Sequence, residues 1–216
     1  NVETVEAARG EIVDRYGRNL VGNRATYEIT LNTSIMGKEA QRNAILLELI
    51  HICQENGIAW TDTLPISKDA PFTYTSDSPL VYTDSEGKVR FNYLGALLDA
   101  LPLGKDILPN HWKQEDLDAA SSVADLGEGL TAEEVIAGLR QYFLIDESLS
   151  DADARALIGV LYEVNLRSQD IRKTAYIFAQ DVTINAISAI KERSLTGVTV
   201  SATTVRQYST TSAAHL

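Results

Sequence analysis

The chain has 216 residues, 44% of them apolar and 23% charged, and 30 acids against 19 bases give a net charge of −11 at pH 7. Those proportions exclude wholesale disorder, and the acidity excludes a general binder of nucleic acid or anionic headgroups, which needs a concentrated basic face. The one cysteine, Cys53, excludes a disulfide framework and a Cys-based zinc site, and no apolar run approaches the ~18 residues that cross a bilayer. The chain opens on Asn1 without a signal peptide, which reads as a processed protein or an excised piece.

Glu11–Asp14 is a short strand candidate, and Asp14-Arg15-Tyr16-Gly17-Arg18-Asn19 a turn in which Gly17 supplies a positive φ. Ala25, Tyr27, Ile29 and Leu31 then alternate with Arg24, Thr26, Glu28 and Thr30, the period of a half-buried strand. Residues 11–32 are therefore expected to form a β-hairpin. From Glu39 to Asn56 the period becomes helical, with Ala40, Ala44, Leu47, Ile50 and Cys53 on one face, widened by Leu46 and Leu49, and Gly57 as the stop.

Pro65, Pro71 and Pro79 exclude a long helix over 58–93. Asp84-Ser85-Glu86-Gly87-Lys88 reads as a hairpin tip between Leu80-Val81-Tyr82 and Val89-Arg90-Phe91, with a short helix over 94–101 stopped by Pro102. Thr131 with Glu134, and Ser150 with Asp153, are helix-start signals. Their apolar stripes are Val135, Leu139 and Tyr142 or Phe143, then Leu157, Leu161 and Val164, and the short link suggests an antiparallel pair. Arg140 is the one base between 114 and 153, which reads as a solvated outer lobe. Ala175–Ala179 is a strand candidate, 182–193 a helix, and Gly197–Ala202 a strand leading into Val205-Arg206-Gln207-Tyr208. The expected fold is α+β: a β-rich base from 1–32 and 174–216, with an inserted, helix-containing head over 33–173.

Candidate chemistry is sparse. Ser188-Ala189-Ile190-Lys191 fits Ser-x-x-Lys, in which one helical turn brings an amine toward a hydroxyl and can activate it. The companion Lys-Thr-Gly is missing, the nearest string being Lys173-Thr174-Ala175, and Ser188 lies within an isoleucine-rich amphipathic helix. His51, His111 and His215 are too far apart in sequence for a paired metal motif, and Asp151/Asp153 are better explained by helix capping than by calcium. Gly127-Glu128-Gly129 is no phosphate loop. No catalytic residue, metal or cofactor is expected.

The string Ala8-Arg9-Gly10-Glu11-Ile12-Val13-Asp14-Arg15-Tyr16-Gly17-Arg18-Asn19-Leu20-Val21 resembles the Arg-Gly-x-Ile-x-Asp-Arg-x-Gly-x-x-Leu-Ala segment that opens the extracytoplasmic part of class B penicillin-binding proteins, with Val21 for the usual Ala. Gly197-Val198-Thr199-Val200, Arg206-Gln207-Tyr208 and Ala213-Ala214-His215-Leu216 are similar to the family's Gly-Val-x-Val … Arg-x-Tyr-Pro … Ala-Ala-His segment, with Ser209 for Pro. The resemblance implies a non-catalytic pedestal, or dimerization, domain outside the bacterial membrane. A membrane helix would precede it and a peptidoglycan D,D-transpeptidase domain would follow. Implied partners are that transpeptidase domain, a polytopic glycan polymerase and other cell-wall synthesis proteins.

On physical grounds Arg9, Asp14, Arg15 and Arg206 are opposite charges near strand ends, suited to an ion network that fixes register if the hairpin pairs with 197–208. Gly10 and Gly17 would permit close approach and a turn, and Tyr208 completes the motif set. Two other readings remain open at this point: an acyl-serine enzyme using Ser188 and Lys191, and a secreted cell-wall-binding module using Phe72, Tyr74, Tyr82, Phe91 and Tyr93, whose rings could stack on sugars.

Overall fold

The computed structural model describes residues 10–102, 108, 110–168 and 176–208. Among these are six α-helices and two sheets, an α+β fold. The chain divides into two compact units. One comprises 1–35, 51–60 and 175–216, the other 36–50 and 61–174.

The first unit is built on one long strand. β1 (Ile12–Val13) and β2 (Asn19–Leu31) form the expected hairpin, antiparallel with Ile12 opposite Val21. β5 (Tyr176–Gln180) pairs antiparallel with the second half of β2, and β6 (Val198–Tyr208) runs antiparallel along the other side, from Leu31↔Val198 to Val21↔Tyr208. β6 is a single strand, not a strand followed by a separate motif. Its β-branched residues Thr203 and Thr204 bridge the two strings. Pairing is shifted by an irregularity against both β1 and β5, whereas the β6 register is unbroken. Of the four residues expected on the inward face, Ile29 and Leu31 are buried but Ala25 and Tyr27 are exposed, and Thr26 of the other face is buried instead. Phe178, which is fully buried, stacks on Trp60 with centroids 6.1 Å apart. α6 (Ile184–Arg193) buries Ala186, Ile187 and Ile190.

α1 (Glu39–Glu55) belongs to the second unit up to Ile50 and to the first from His51. Gly57 takes φ +64° just beyond it, as a helix stop requires. The buried face differs from the expected one. Asn43, Leu46, Leu49, Ile50, Ile52 and Cys53 are buried, while Ala40 and Ala44 are exposed. The buried amide of Asn43 causes the discrepancy: its Nδ2 donates to the Phe143 carbonyl at 2.8 Å, so a polar residue sits on the inward face.

In the second unit β3 (Val81–Thr83) and β4 (Val89–Phe91) form a hairpin, followed by α2 (Tyr93–Ala100). Asn92 caps α2 by accepting from Gly95 N at 3.1 Å. Gly95 has no alternative, because a Cβ there would strike the Leu80 carbonyl. α3 (Gln114–Ala119) and a 3-10 turn over Val123–Leu126 occupy a stretch whose sequence carries no strong helical or strand period. α4 (Ala132–Tyr142) begins with the anticipated capping box: Thr131 Oγ1 accepts from Glu134 N at 3.2 Å, and Glu134 Oε2 accepts from Thr131 N at 2.7 Å. α5 (Asp151–Ser168) begins on Ser150, whose Oγ accepts from Asp153 N at 3.1 Å. α5 is buried on all sides from Ala154 to Glu163 except at Ala156, a wider face than the Leu157–Leu161 stripe alone.

Candidate functional site

The motif residues of the first unit lie in a turn and in a strand. β1 is followed by Asp14, whose N–H donates to the Arg18 carbonyl at 2.9 Å and whose carbonyl accepts from Gly17 N at 2.9 Å. Gly17 has φ +78° with nothing within 4 Å of a would-be Cβ, so its role is conformational. The Asp14 carboxylate accepts from Tyr16 N (2.8 Å), Arg18 N (2.9 Å) and Arg18 Nε (2.7 Å). These bonds, led by the Arg18 backbone N–H, hold its pKa below the ordinary 3.8.

Arg18, which the expected network did not include, is therefore the cation on Asp14. The Arg15 guanidinium stands 4.6 Å from the centroid of the Tyr16 ring, and Arg18 is 5.5 Å from the same ring. Tyr16 itself is 67% exposed. Arg206 lies opposite Asn23 in the β2–β6 ladder, and its buried Nε has no hydrogen-bond partner among the described residues. Tyr208 is opposite Val21 and partly exposed. Gly10 is exposed, and Arg9 falls outside the described residues. Midway along β2, Arg24 Nη2 donates to both Asp181 carboxylate oxygens at 2.7 Å, and Thr26 Oγ1 adds a bond of 2.8 Å.

Ser188 sits on the exposed face of α6, and its Oγ donates to the Ile184 carbonyl at 3.2 Å. The aromatics of 72–93 are largely engaged inside their own unit. Phe72 is buried, the Tyr74 hydroxyl donates to the Leu130 carbonyl at 2.7 Å, and Tyr93 packs edge-on to Tyr162 at 5.1 Å. Burial pushes the Tyr93 hydroxyl up to about 12. Tyr82 alone of the five is openly exposed, at 45%. Burial likewise pushes the Cys53 thiol up to about 12, which makes it a packing residue and a poor nucleophile.

Sequence reasoning missed the most heavily bonded charges among the described residues. Arg155, Gly159 and Glu163 recur every four residues on one face of α5, and that face holds the extended segment 62–67. Arg155 Nη1 donates to Asp62 Oδ2 at 2.9 Å, with the two side chains 2% and 3% exposed. The same guanidinium reaches the carbonyls of Ile66 (2.7 Å), Ser67 (3.0 Å) and Leu64 (3.3 Å). Glu163, fully buried, accepts from the backbone N–H of Thr63 at 2.8 Å and from its hydroxyl. A Cβ on Gly159 would stand 2.5 Å from Asp62 Oδ2 and 2.7 Å from Arg155 Nη1, so only glycine lets the pair lie against the helix. The four-residue spacing was the available signal. Here the polar cluster fastens one segment to one helix, and its hydrogen-bonding groups are taken up internally.

The same unit carries a cleft of about 430 Å³ lined by Asn110, His111, Trp112, Asp116, Asp125 and Glu128 among others. His111 Nε2 is 3.8 Å from Asp99 Oδ1, and burial, aided by Lys113, holds its pKa below the usual histidine value. Among the described residues no three His, Cys, Asp or Glu side chains gather as a metal site, and no helix is long and apolar enough to cross a membrane.

No curated protein matches the chain. The family model of the penicillin-binding protein dimerisation domain matches residues 4–216, which takes in the hairpin, the inserted helices and β6 together. The chain therefore belongs to the penicillin-binding protein dimerisation-domain family.

Proposed function

We propose that this domain is a non-catalytic pedestal outside the bacterial cell membrane, which positions a peptidoglycan transpeptidase domain of its parent protein and meets other cell-wall synthesis proteins, a polytopic glycan polymerase among them. The observation that carries the reading is a row of the sheet: Ile12, Val21 and Tyr208 stand side by side on β1, β2 and β6. The two motif-bearing segments, nearly the whole chain apart in sequence, are thus ~10 Å apart across one strand. A load passed from one segment to the other crosses a short run of ladder hydrogen bonds, and the rest of the chain is an excursion from that mount. Arg15, Arg206 and Tyr208 would then serve the mount, with Gly10, Asp14 and Gly17 shaping its turn.

The test uses the full-length parent protein. Weakening the mount with Ile29→Ala should lower glycan cross-linking more than it lowers acylation by a fluorescent penicillin. Equal loss of both would mean that the base merely keeps the enzyme folded. The isolated domain should take no penicillin label, and labelling of Ser188 would overturn the reading in favour of an acyl-serine enzyme. Retention on purified sacculi by the isolated domain would favour a wall-binding module instead.

A further inference from the structure

β2 is covered on one side by β1 and β5 and on the other by β6, but among the described residues no strand pairs with the far side of β6. The hydrogen-bond phase shows which groups that leaves. Asn32 N donates to the Gly197 carbonyl at 2.8 Å, which makes 32↔197 a bonded pair. The bonds to β2 then recur at Thr199, Ser201, Thr203, Val205 and Gln207. Tyr27, in the intervening phase, turns its carbonyl the other way and accepts from Val182 N at 3.0 Å, as this assignment requires. The backbone N–H and C=O groups of Val200, Ala202, Thr204 and Arg206 therefore point outward.

Among the described residues this edge lacks the usual protections against strand addition. β6 has eleven residues, no proline, no glycine and no bulge, and Arg206 is its one charge. Its residues are half-buried or exposed throughout. That single charge is also incompletely satisfied, since the buried Arg206 Nε has no partner among the described residues. A strand laid along β6 would set one of its side chains ~5 Å from Arg206 on the same face, where a carboxylate would give the guanidinium an ion-pair partner. A second copy of β6 fits poorly, because Val198–Tyr208 contains no acid to meet Arg206.

We propose that the open edge of β6 is a docking site for an extended, acidic segment of a partner protein, which adds a strand to the sheet and places a carboxylate opposite Arg206. This goes beyond the pedestal reading and stands on β6 alone, so either can fail without the other. The test is amide hydrogen exchange of the whole chain by NMR, with a capped synthetic peptide of alternating Val and Thr carrying one Glu, and its Lys counterpart. In the free protein the amides of Ala202, Thr204 and Arg206 should exchange fast while those of Thr203 and Val205 are protected. The Glu peptide should slow the outward set and bind severalfold, up to about tenfold, tighter than the Lys peptide, and Arg206→Glu should reverse that preference. Ala202→Pro removes an outward N–H without taking a bond from β2, and should abolish binding while the melting temperature falls little. Outward amides already protected in the monomer would overturn the proposal, as would protection that grows with protein concentration, which would identify a second copy. Failure of both peptides, or equal binding by them, would overturn it too.

Discussion

Two loops, one in each unit, close with the same hydrogen bonds. In Asp14-Arg15-Tyr16-Gly17-Arg18 and in Asp84-Ser85-Glu86-Gly87-Lys88, the first residue's N–H donates to the fifth carbonyl at 2.9 Å, and the glycine N–H donates back to the aspartate carbonyl at 2.9 and 3.0 Å. Each aspartate Oδ1 accepts from the third and fifth backbone N–H groups at 2.8–2.9 Å, and each Oδ2 takes an arginine Nε, of Arg18 or Arg90. The glycines have φ of +78° and +79°. The first loop lies in the segment that resembles a family motif and the second does not. Asp14 and Gly17 are therefore accounted for by turn geometry, and a motif position that folding already explains says little about function. What distinguishes the first loop is its tip, where Arg15 and an exposed Tyr16 replace Ser85 and Glu86.

A charge outside either loop sets the scale for that comparison. Arg155 is buried against Asp62 and three carbonyls, whereas Arg18 is 76% exposed. Arg155→Ala leaves a buried carboxylate and three carbonyls without their donor and should cost about 3–5 kcal/mol, read as a lower urea midpoint. A loss below ~1 kcal/mol, the range of exposed pairs, would mean that burial does not separate the two arginines. Gly159→Ala should cost about 1–3 kcal/mol by pushing the same pair off the helix. Shortening Asp62 to Ala in that background should recover part of the glycine effect, and no recovery would exclude the steric cause.

The comparison also sharpens at the glycines. Gly17→Ala and Gly87→Ala meet no neighbouring atom, so each should cost about 1–2 kcal/mol from the left-handed backbone alone. The two losses should agree. A markedly larger effect at Gly17 would mean that the first loop carries a constraint the second lacks.

What the sequence disclosed follows the range of each signal. The two turns and the Thr131 and Ser150 caps are written in residues within five positions of one another and stand where expected, whereas the period-two strand keeps its expected inward face only at Ile29 and Leu31, with Ala25 and Tyr27 exposed and Thr26 buried instead. The Arg155–Asp62 pair joins residues 93 apart in sequence, and Asn43 reaches a carbonyl 100 residues away. Both put a polar residue on a buried helix face, so an apolar stripe sought along the helix passes them by. The motif strings themselves led to the correct pairing of β2 with β6, but not to which cation Asp14 holds. The choice among Arg15, Arg18 and Arg206 depends on turn geometry and not on charge pattern.

The smallest expected effect is the most direct test of equivalence between the loops. Backbone N–H donation, from Arg18 to Asp14 and from Lys88 to Asp84, is the leading cause that holds both carboxyls below the ordinary 3.8, with the Arg18 and Arg90 guanidinium groups adding to it. A carboxylate whose pKa is lower folded than unfolded stabilises the fold above the unfolded value, and that contribution disappears as pH falls through the folded value. Carbon-detected NMR titration should therefore place both transitions below 3.8, with neither loop altered between pH 5 and 7. Asp14→Asn and Asp84→Asn should each remove part of the acid sensitivity below pH 4, by similar amounts. If Asp14 alone titrates low, its carboxylate is held by something beyond the turn, and the case for a wider ion network at the base of the sheet is restored.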